Sequence, residues 1–166
     1  MRRFVVALSV VAVAALVSAG CGDKGSDSVE VFQADLSGAN EVPARGTAAH
    51  GTAGFTFDGT NLSYSVEMDD ANGITVGHIH SGAAGVNGPV RVFLYTSPDQ
   101  PVAGPPIVTT EKRVVVSGTI VSGNVTGVTF SDLVAQMRSG NAYVNFHSPT
   151  FPGGEIRGQI RQLTVD

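Results

Sequence analysis

Three histidines stand at positions that could bring their imidazoles around one metal ion. His78 and His80 flank Ile79, and His147 ends an apolar segment much later in the chain. If residues 78–80 form one strand, Ile79 faces the core and both imidazoles leave the opposite face, because successive side chains of a strand alternate. Imidazole binds copper, zinc, iron and nickel, and three histidines with an open position are a known ligand set.

The later segment carries the same alternation. If it forms a strand in which Val144 and Phe146 point inward, then Tyr143, Asn145 and His147 lie on the outer face. The third imidazole joins the other two if the two strands are neighbours. The spacing therefore predicts a copper or zinc site built from the three histidines.

A simpler interpretation stays open. His78 and His80 border a glycine-rich segment, where their rings could do no more than hydrogen-bond backbone groups, and His147 could end its strand by chance. His50 is a weaker fourth candidate, because the sequence does not place it relative to the others. The chain contains no HExxH motif, nucleophile elbow or phosphate-binding loop, so no catalytic residue is predicted and enzymatic activity stays an open question.

The first residues have the order of a secretory signal peptide. Arg2 and Arg3 supply positive charge, residues 4–17 are almost wholly apolar, and small residues precede Cys21. The apolar run is shorter than the roughly 20 residues that a membrane-spanning helix needs. We expect cleavage before Cys21, acylation of its thiol, and attachment of the exported protein to a membrane, on the periplasmic or cell-surface side. An ordinary leader that leaves Cys21 as a free thiol is the alternative.

The remaining composition indicates one acidic domain rich in strands and turns. Of 166 residues, 42% are apolar and 14% are charged, with 21 glycines and 8 prolines. Without the leader the chain has 8 basic against 14 acidic residues, which disfavours nucleic acid as a partner. Glu41 and Glu155 are expected at the surface, where carboxylates usually lie. The expected organisation is a signal peptide over residues 1–20, a lipidated flexible tether over 21–28 and one domain over 29–166.

Alternating apolar residues predict many short strands in this domain. The predicted strands cover residues 32–36, 55–57, 62–68, 74–80, 90–95, 113–121, 125–130, 142–147 and 155–163. Residues 58–61 are predicted to turn a hairpin, the proline-rich Ser97–Pro106 to form a loop, and Ser131–Gly140 to form a helix. Short strands separated by glycine-rich turns favour an antiparallel sandwich or barrel.

Three parts of the chain resemble the CHRD domain, the module repeated in the secreted antagonist chordin and found alone in bacterial proteins. They are Leu36–Pro43, Gly77–Val90, and Gly140–His147 followed by Pro152–Ile160. The resemblance covers about residues 31 to 161. It implies an extracytoplasmic β-domain, with growth-factor binding in the animal proteins. Here the ligand of such a binding module would be an unknown protein or surface molecule.

The histidine-bearing segments are also similar to Cu/Zn superoxide dismutase, in which a His-x-His strand and a later strand ending in His hold copper on the outer face of a sandwich. By its position after His147, Arg157 resembles the residue that guides anions to the copper of that enzyme. The chain lacks a clear bridging histidine, the zinc-binding cluster and the disulfide cysteines of that family. Those differences argue against dismutase activity.

We therefore predict an all-β protein. The expected fold is an antiparallel β-sandwich of about eight to ten strands, immunoglobulin-like or with the Greek key of Cu/Zn superoxide dismutase, and with one short helix. The first functional hypothesis is an extracytoplasmic, lipid-anchored binding module. The second is a copper- or zinc-binding domain that uses the three histidines, with Arg157 attracting small anions, and that could extend to dismutase-like redox chemistry.

Overall fold

The computed structural model describes residues 29–96 and 114–164. The predicted signal peptide over residues 1–20, the tether with Cys21 and the proline-rich loop over 97–106 lie outside the described residues. All statements below concern the described part of the chain.

Nine strands and one α-helix make up the fold. The strands are β1 (Glu30–Ser37), β2 (His50–Phe57), β3 (Leu62–Asp69), β4 (Val76–Ser81), β5 (Val90–Thr96), β6 (Val114–Ile120), β7 (Ala142–His147), β8 (Ile156–Gln159) and β9 (Arg161–Leu163), and the helix α1 is Phe130–Arg138. Two single 3₁₀ turns, Gly38–Asn40 and Ser122–Asn124, complete the regular structure.

The strands form one continuous antiparallel sheet. Its order is β5-β4-β7-β8-β1-β2-β3-β6, and β9 pairs with β1 beside β8. The sheet curls until its outermost strands, β5 and β6, approach one another. Beside them, the hydroxyl of Tyr64 on β3 donates to the carbonyl of Leu94 on β5 at 2.6 Å. The predicted all-β fold with one short helix is confirmed, as a nearly closed, barrel-like sheet whose opposite walls face each other across the core.

Period-two alternation decides which residues fill that core. On β1 the inward residues Phe32, Ala34 and Leu36 are buried, and the same alternation continues on β2 and β3. Burial of these apolar side chains is the main favourable contribution to folding. The cluster also includes Phe55, Leu62, Val66, Met68, Ile74, Ile79, Val92, Ile120, Val144, Phe146, Ile156 and Ile160.

The predicted hairpin between β2 and β3 is confirmed. Asp58 accepts the backbone N–H groups of Thr60 and Asn61 at 2.8 and 2.7 Å, and Gly59 takes a positive φ of 93°. An aspartate that bonds the backbone just beyond it and a glycine in the left-handed region are typical of tight turns. The turn fixes the register in which all eight residues of each strand pair.

The predicted strand over residues 125–130 is wrong. This segment is a turn that leads into α1, and Phe130 is the first helical residue. Thr129 and Asp132 form a reciprocal capping box, which satisfies free N–H groups at the helix start and outweighs the β propensity of the preceding valines. The helix buries Leu133 and Met137 against the sheet. No helix among the described residues is long and apolar enough to cross a membrane.

The strands β4 and β7 can lie close together because Gly77 has no side chain. A methyl group added at Gly77→Ala would meet the ring of Phe146 at 2.2 Å, so we expect a loss of roughly 1–3 kcal/mol of unfolding free energy. Gly54→Ala on β2 is the matched control, because its nearest neighbour would be 3.9 Å away. Urea unfolding followed by circular dichroism makes the comparison. Equal stability of the two variants would contradict the close contact between β4 and β7.

Candidate metal centre

The two histidine-bearing strands are neighbours in the sheet. Strand β7 pairs with β4 so that His147 lies opposite Val76, and Tyr143 lies opposite His80. Ile79 between the two β4 histidines is fully buried in the core. As the sequence indicated, the three imidazoles therefore share the other face of the sheet.

The three imidazoles form one cluster. One nitrogen from each of His78, His80 and His147 can be chosen so that all three lie within 4.8 Å of one another. The ring of His78 is central, with its centroid 5.4 Å from that of His80 and 5.1 Å from that of His147. Nδ1 of His78 lies 3.2 Å from Nε2 of His147.

Hydrogen bonds to backbone carbonyls determine the tautomers of His80 and His147, and so which nitrogen of each ring directs a lone pair into the cluster. Nδ1 of His80 donates to the carbonyl of Gly88 at 2.9 Å, and Nδ1 of His147 donates to that of Pro152 at 3.0 Å. Since a carbonyl can only accept, Nε2 of each neutral ring carries the lone pair. Nε2 of His147 takes a hydrogen bond from His78, whereas Nε2 of His80 is buried without a partner. Such second contacts orient metal-binding histidines in known sites.

Burial keeps the three rings in the neutral form that a metal ion requires. Desolvation lowers the pKa of His78 to about 3, and the neighbouring His147 and His80 lower it further. Desolvation is also the largest cause of the lowered pKa values of His80 and His147. Near neutral pH each ring therefore offers a lone pair rather than a positive charge.

The outer face of the sheet is covered, not open to water as the sequence suggested. His78 is 7% exposed, and Tyr143 is 3% exposed. The segment Gly82–Pro89, which we call the cover loop, lies over this face and supplies the carbonyl that accepts from His80. Strand alternation chose the correct face, but it could not show that the loop after β4 folds back over that face.

Arg157, Tyr143 and His80 form a stack beneath the cover loop. The ring of Tyr143 lies parallel to that of His80, with centroids 4.7 Å apart and 9° between the planes. On the other side, the guanidinium carbon of Arg157 lies 3.4 Å from the centroid of the tyrosine ring. Sequence reasoning placed Tyr143 on this face but missed the stack, because stacking depends on how β7 and β8 pair.

The guanidinium of Arg157 is committed to the cover loop. It donates to the carbonyls of Val86 and Ala83 at 2.7 and 3.4 Å and to the side-chain oxygen of Asn87 at 2.9 Å. The residue is 2% exposed. Its anion-guiding role stays a prediction, whereas its contacts show that it anchors the loop which orients His80.

Glu41 and Glu155 are buried beside this stack, so their expected surface positions are wrong. Glu41 accepts a hydrogen bond from the side-chain amide of Asn145, and Glu155 accepts one from the hydroxyl of Thr47 at 2.8 Å. Burial raises the pKa of Glu41 to about 7, although the positive charges of Arg157 and Arg45 act against the shift. The β1–β2 connection brings these groups in, which no local pattern in the sequence reveals.

Of two other rings on the sheet, His50 lies outside the cluster and Phe93 borders it. His50 is exposed at the start of β2, where its ring bonds the carbonyl of Ala48, and it is not part of the group. Phe93 on β5 packs edge-on against His78 with centroids 4.6 Å apart and stays 54% exposed. The arrangement is thus a buried set of three neutral nitrogens, bordered by aromatic rings and closed by a loop.

Comparison with known proteins gives one match. The family model described as CHRD domain matches residues 32–160, a range that contains both histidine-bearing strands, the cover loop and Arg157. No curated protein and no solved structure matches the chain at a significant level.

The raised pKa of Glu41 makes stability depend on pH. Between pH 4.5 and about 7 the folded state keeps a proton on Glu41 that the unfolded state has released, so the contribution of Glu41 to the free energy of unfolding falls by roughly 3 kcal/mol as pH rises through this window. The lowered pKa values of the three histidines act in the opposite direction, so the contribution of Glu41 is read from the difference between variant and parent. In urea titrations at several pH values, Glu41→Gln, which stays neutral and can still accept from Asn145, should gain stability relative to the parent as pH rises from 4.5 to 7.

Glu30→Gln is the control for this prediction. The ion pair with Arg138 lowers the pKa of Glu30, so the stability that Glu30 contributes is lost only as pH falls, below the window in which Glu41 titrates. A pH dependence in Glu41→Gln equal to that of the parent, or the same gain relative to the parent in Glu30→Gln, would contradict the assignment to Glu41.

Proposed function

The chain belongs to the CHRD domain family, a family of binding modules, and we propose that this member binds one copper or zinc ion through His78, His80 and His147. The observation that carries the proposal is the convergence of three ligand nitrogens within 4.8 Å of one another. A chance group of buried histidines would be expected to satisfy its ring nitrogens within the protein, because an unpartnered buried polar atom is costly. Nε2 of His80 has no such partner.

The chemistry of the donors supports this class of ion. Neutral imidazole suits copper and zinc, while calcium and magnesium prefer oxygen ligands. His80 and His147 are held by carbonyls from outside the cluster, so their Nε2 atoms stay directed inward. Any redox chemistry would come from a bound copper ion. The contribution of the chain itself would be to position the rings and shield them from water.

We also propose that the domain acts outside the cytoplasm on a lipid anchor. The support is the order of residues 1–21, in which a positive start, an apolar run and small residues precede the single cysteine of the chain. A short tether after Cys21 would hold the β-domain near the membrane surface and leave it free to meet soluble ions or proteins.

Metal binding predicts a specific thermal stabilisation. Copper or zinc at about 100 times its dissociation constant should stabilise the folded state by about 2.7 kcal/mol, because the ion binds the folded form preferentially. His147→Ala should remove the rise in melting temperature that scanning calorimetry records. His50→Ala is the matched control, because it deletes an exposed imidazole outside the cluster and should keep the full rise.

The amount of metal retained after purification and dialysis gives a second measurement that does not depend on stability. One ion per chain in the parent and in His50→Ala, and none in His147→Ala, is the expected result. If neither metal shifts the melting temperature and the two histidine variants behave alike, the three-histidine site does not bind metal. Membership of the CHRD family would then support only the hypothesis that the domain binds a protein or a surface molecule.

Lipid anchoring predicts that Cys21 decides where the protein is found. The native chain should partition into the detergent phase of a Triton X-114 extraction and incorporate labelled palmitate in a bacterial host. Cys21→Ser should incorporate none. Labelling of Cys21→Ser, or recovery of the native protein in the aqueous phase, would contradict acylation at this residue.

A further inference from the structure

Because the three histidines are largely buried, the free-energy cost of binding an ion among them depends strongly on the charge of that ion. The cost of moving an ion from water into a protein interior rises with the square of its charge, so a divalent ion needs far more compensation than a monovalent one. His78 is almost fully buried, and Nε2 of His80 has no contact with water. His147 is only partly buried, so the site is largely rather than fully removed from water, and water balances the charge of an ion less than it would at an exposed site.

The ligands themselves supply no negative charge. The group consists of His78, His80 and His147, and no aspartate, glutamate or cysteine among the described residues belongs to it. An imidazole binds a metal ion as a neutral ring through a lone pair, so the three ligands add no charge to the site. The charge of a divalent ion bound to these three ligands would therefore not be compensated by any ligand.

The fixed charge that acts on this ligand set is positive. The guanidinium of Arg157 lies against one face of Tyr143, and the imidazole of His80 lies against the other face. Its positive charge opposes further positive charge on the ring of His80. Because the guanidinium is buried and bonded to the cover loop, it cannot move away when an ion binds.

The carboxyl group of Glu41 partly offsets the positive charge of Arg157, but it does not contact the histidines. Glu41 interacts electrostatically with Arg157 and accepts from Asn145. Among the described residues, the hydrogen-bond partners of the three rings are backbone carbonyls and one another, not carboxylates. Glu41 therefore weakens the influence of Arg157 on the site without becoming a ligand.

We propose that the three-histidine site selects copper in its monovalent state over divalent copper and zinc. This inference rests on the proposed metal-binding function and specifies its ligand. Copper is the metal among those suited to imidazole that also has a monovalent ion stabilised by coordination, and three neutral nitrogens can hold that ion without an anionic ligand. The stack of Arg157 and Tyr143 behind His80 acts as a positioned positive charge that discriminates between the two oxidation states.

Competition titrations measure this selectivity directly. The titrations use the full chain with Cys21→Ser, purified in detergent. This substitution removes the single thiol, which would otherwise compete for Cu(I). Cu(I) affinity is measured without oxygen against bathocuproine disulfonate, and Cu(II) and zinc affinities are measured against chelators of known strength. The dissociation constant for Cu(I) should be roughly a hundredfold below that for Cu(II).

Substitutions of the charged residues separate the effect of charge from that of structure. Arg157→Gln should lower the ratio of Cu(I) to Cu(II) affinity by roughly tenfold. Arg157→Lys keeps the charge but loses the forked contacts to the cover loop, so it should weaken both affinities and retain the ratio. At pH 8, above the pKa of about 7 that burial gives Glu41, Glu41→Gln should raise the ratio, because it removes the charge that offsets Arg157. Arg161→Gln, an exposed arginine paired with Asp35, is the control and should leave the ratio unchanged.

The outcomes distinguish this inference from the proposal on which it rests. If no metal in either oxidation state binds, both fail. If zinc or Cu(II) binds as tightly as Cu(I), the site is a metal site and the selectivity is wrong. If Arg157→Gln and Arg161→Gln leave the ratio equally unchanged, the positive charge of Arg157 does not set the preference and the inference fails.

Discussion

The buried guanidinium of Arg157 is the constraint on which the outer face of the sheet depends. A charge removed from water is tolerated only if its donors are satisfied, and here the cover loop supplies three oxygens while Tyr143 supplies an aromatic face. The same loop presents the carbonyl that fixes the ring of His80. The contacts that satisfy the buried charge of Arg157 on β8 therefore also orient the ring of His80 on β4, two strands away.

The polar layer that results is unusual for one side of a small antiparallel sheet. Such a sheet commonly has one face on the core and the other in water. Here the second face is itself buried, and it holds an arginine, two carboxyl groups and three imidazoles in place of apolar packing. Hydrogen bonds within this layer replace those that water would have made. Among the described residues, Nε2 of His80, Nε of Arg45 and Oε2 of Glu155 are the buried side-chain atoms without a partner, and of these Nε2 of His80 is the one in the histidine cluster.

Much of this arrangement was predictable where it depends on local periodicity. Alternation alone assigned Ile79 to the core and its two histidine neighbours to the other face, and it did the same on β7. The strand predicted over residues 125–130 does not form, because the capping box that begins α1 outweighs the β propensity of the valines. The burial of Glu41 and the stacking of Arg157 were not predictable, because both depend on segments that meet only in the folded chain.

The segments that carry the family resemblance are also the ones that build the covered layer. Gly88 passes so near the strand that an added methyl would meet the carbonyl of Ser81 at 1.7 Å, and a methyl on Gly82 would approach the ring of Tyr143. Gly154, with a φ of 122°, leaves room for the carboxyl of Glu41. These glycines let loop and strand approach closely enough for the carbonyl of Gly88 to reach His80. The glycine-rich pattern thus specifies the enclosure, and the histidines inside it decide what the enclosure can bind.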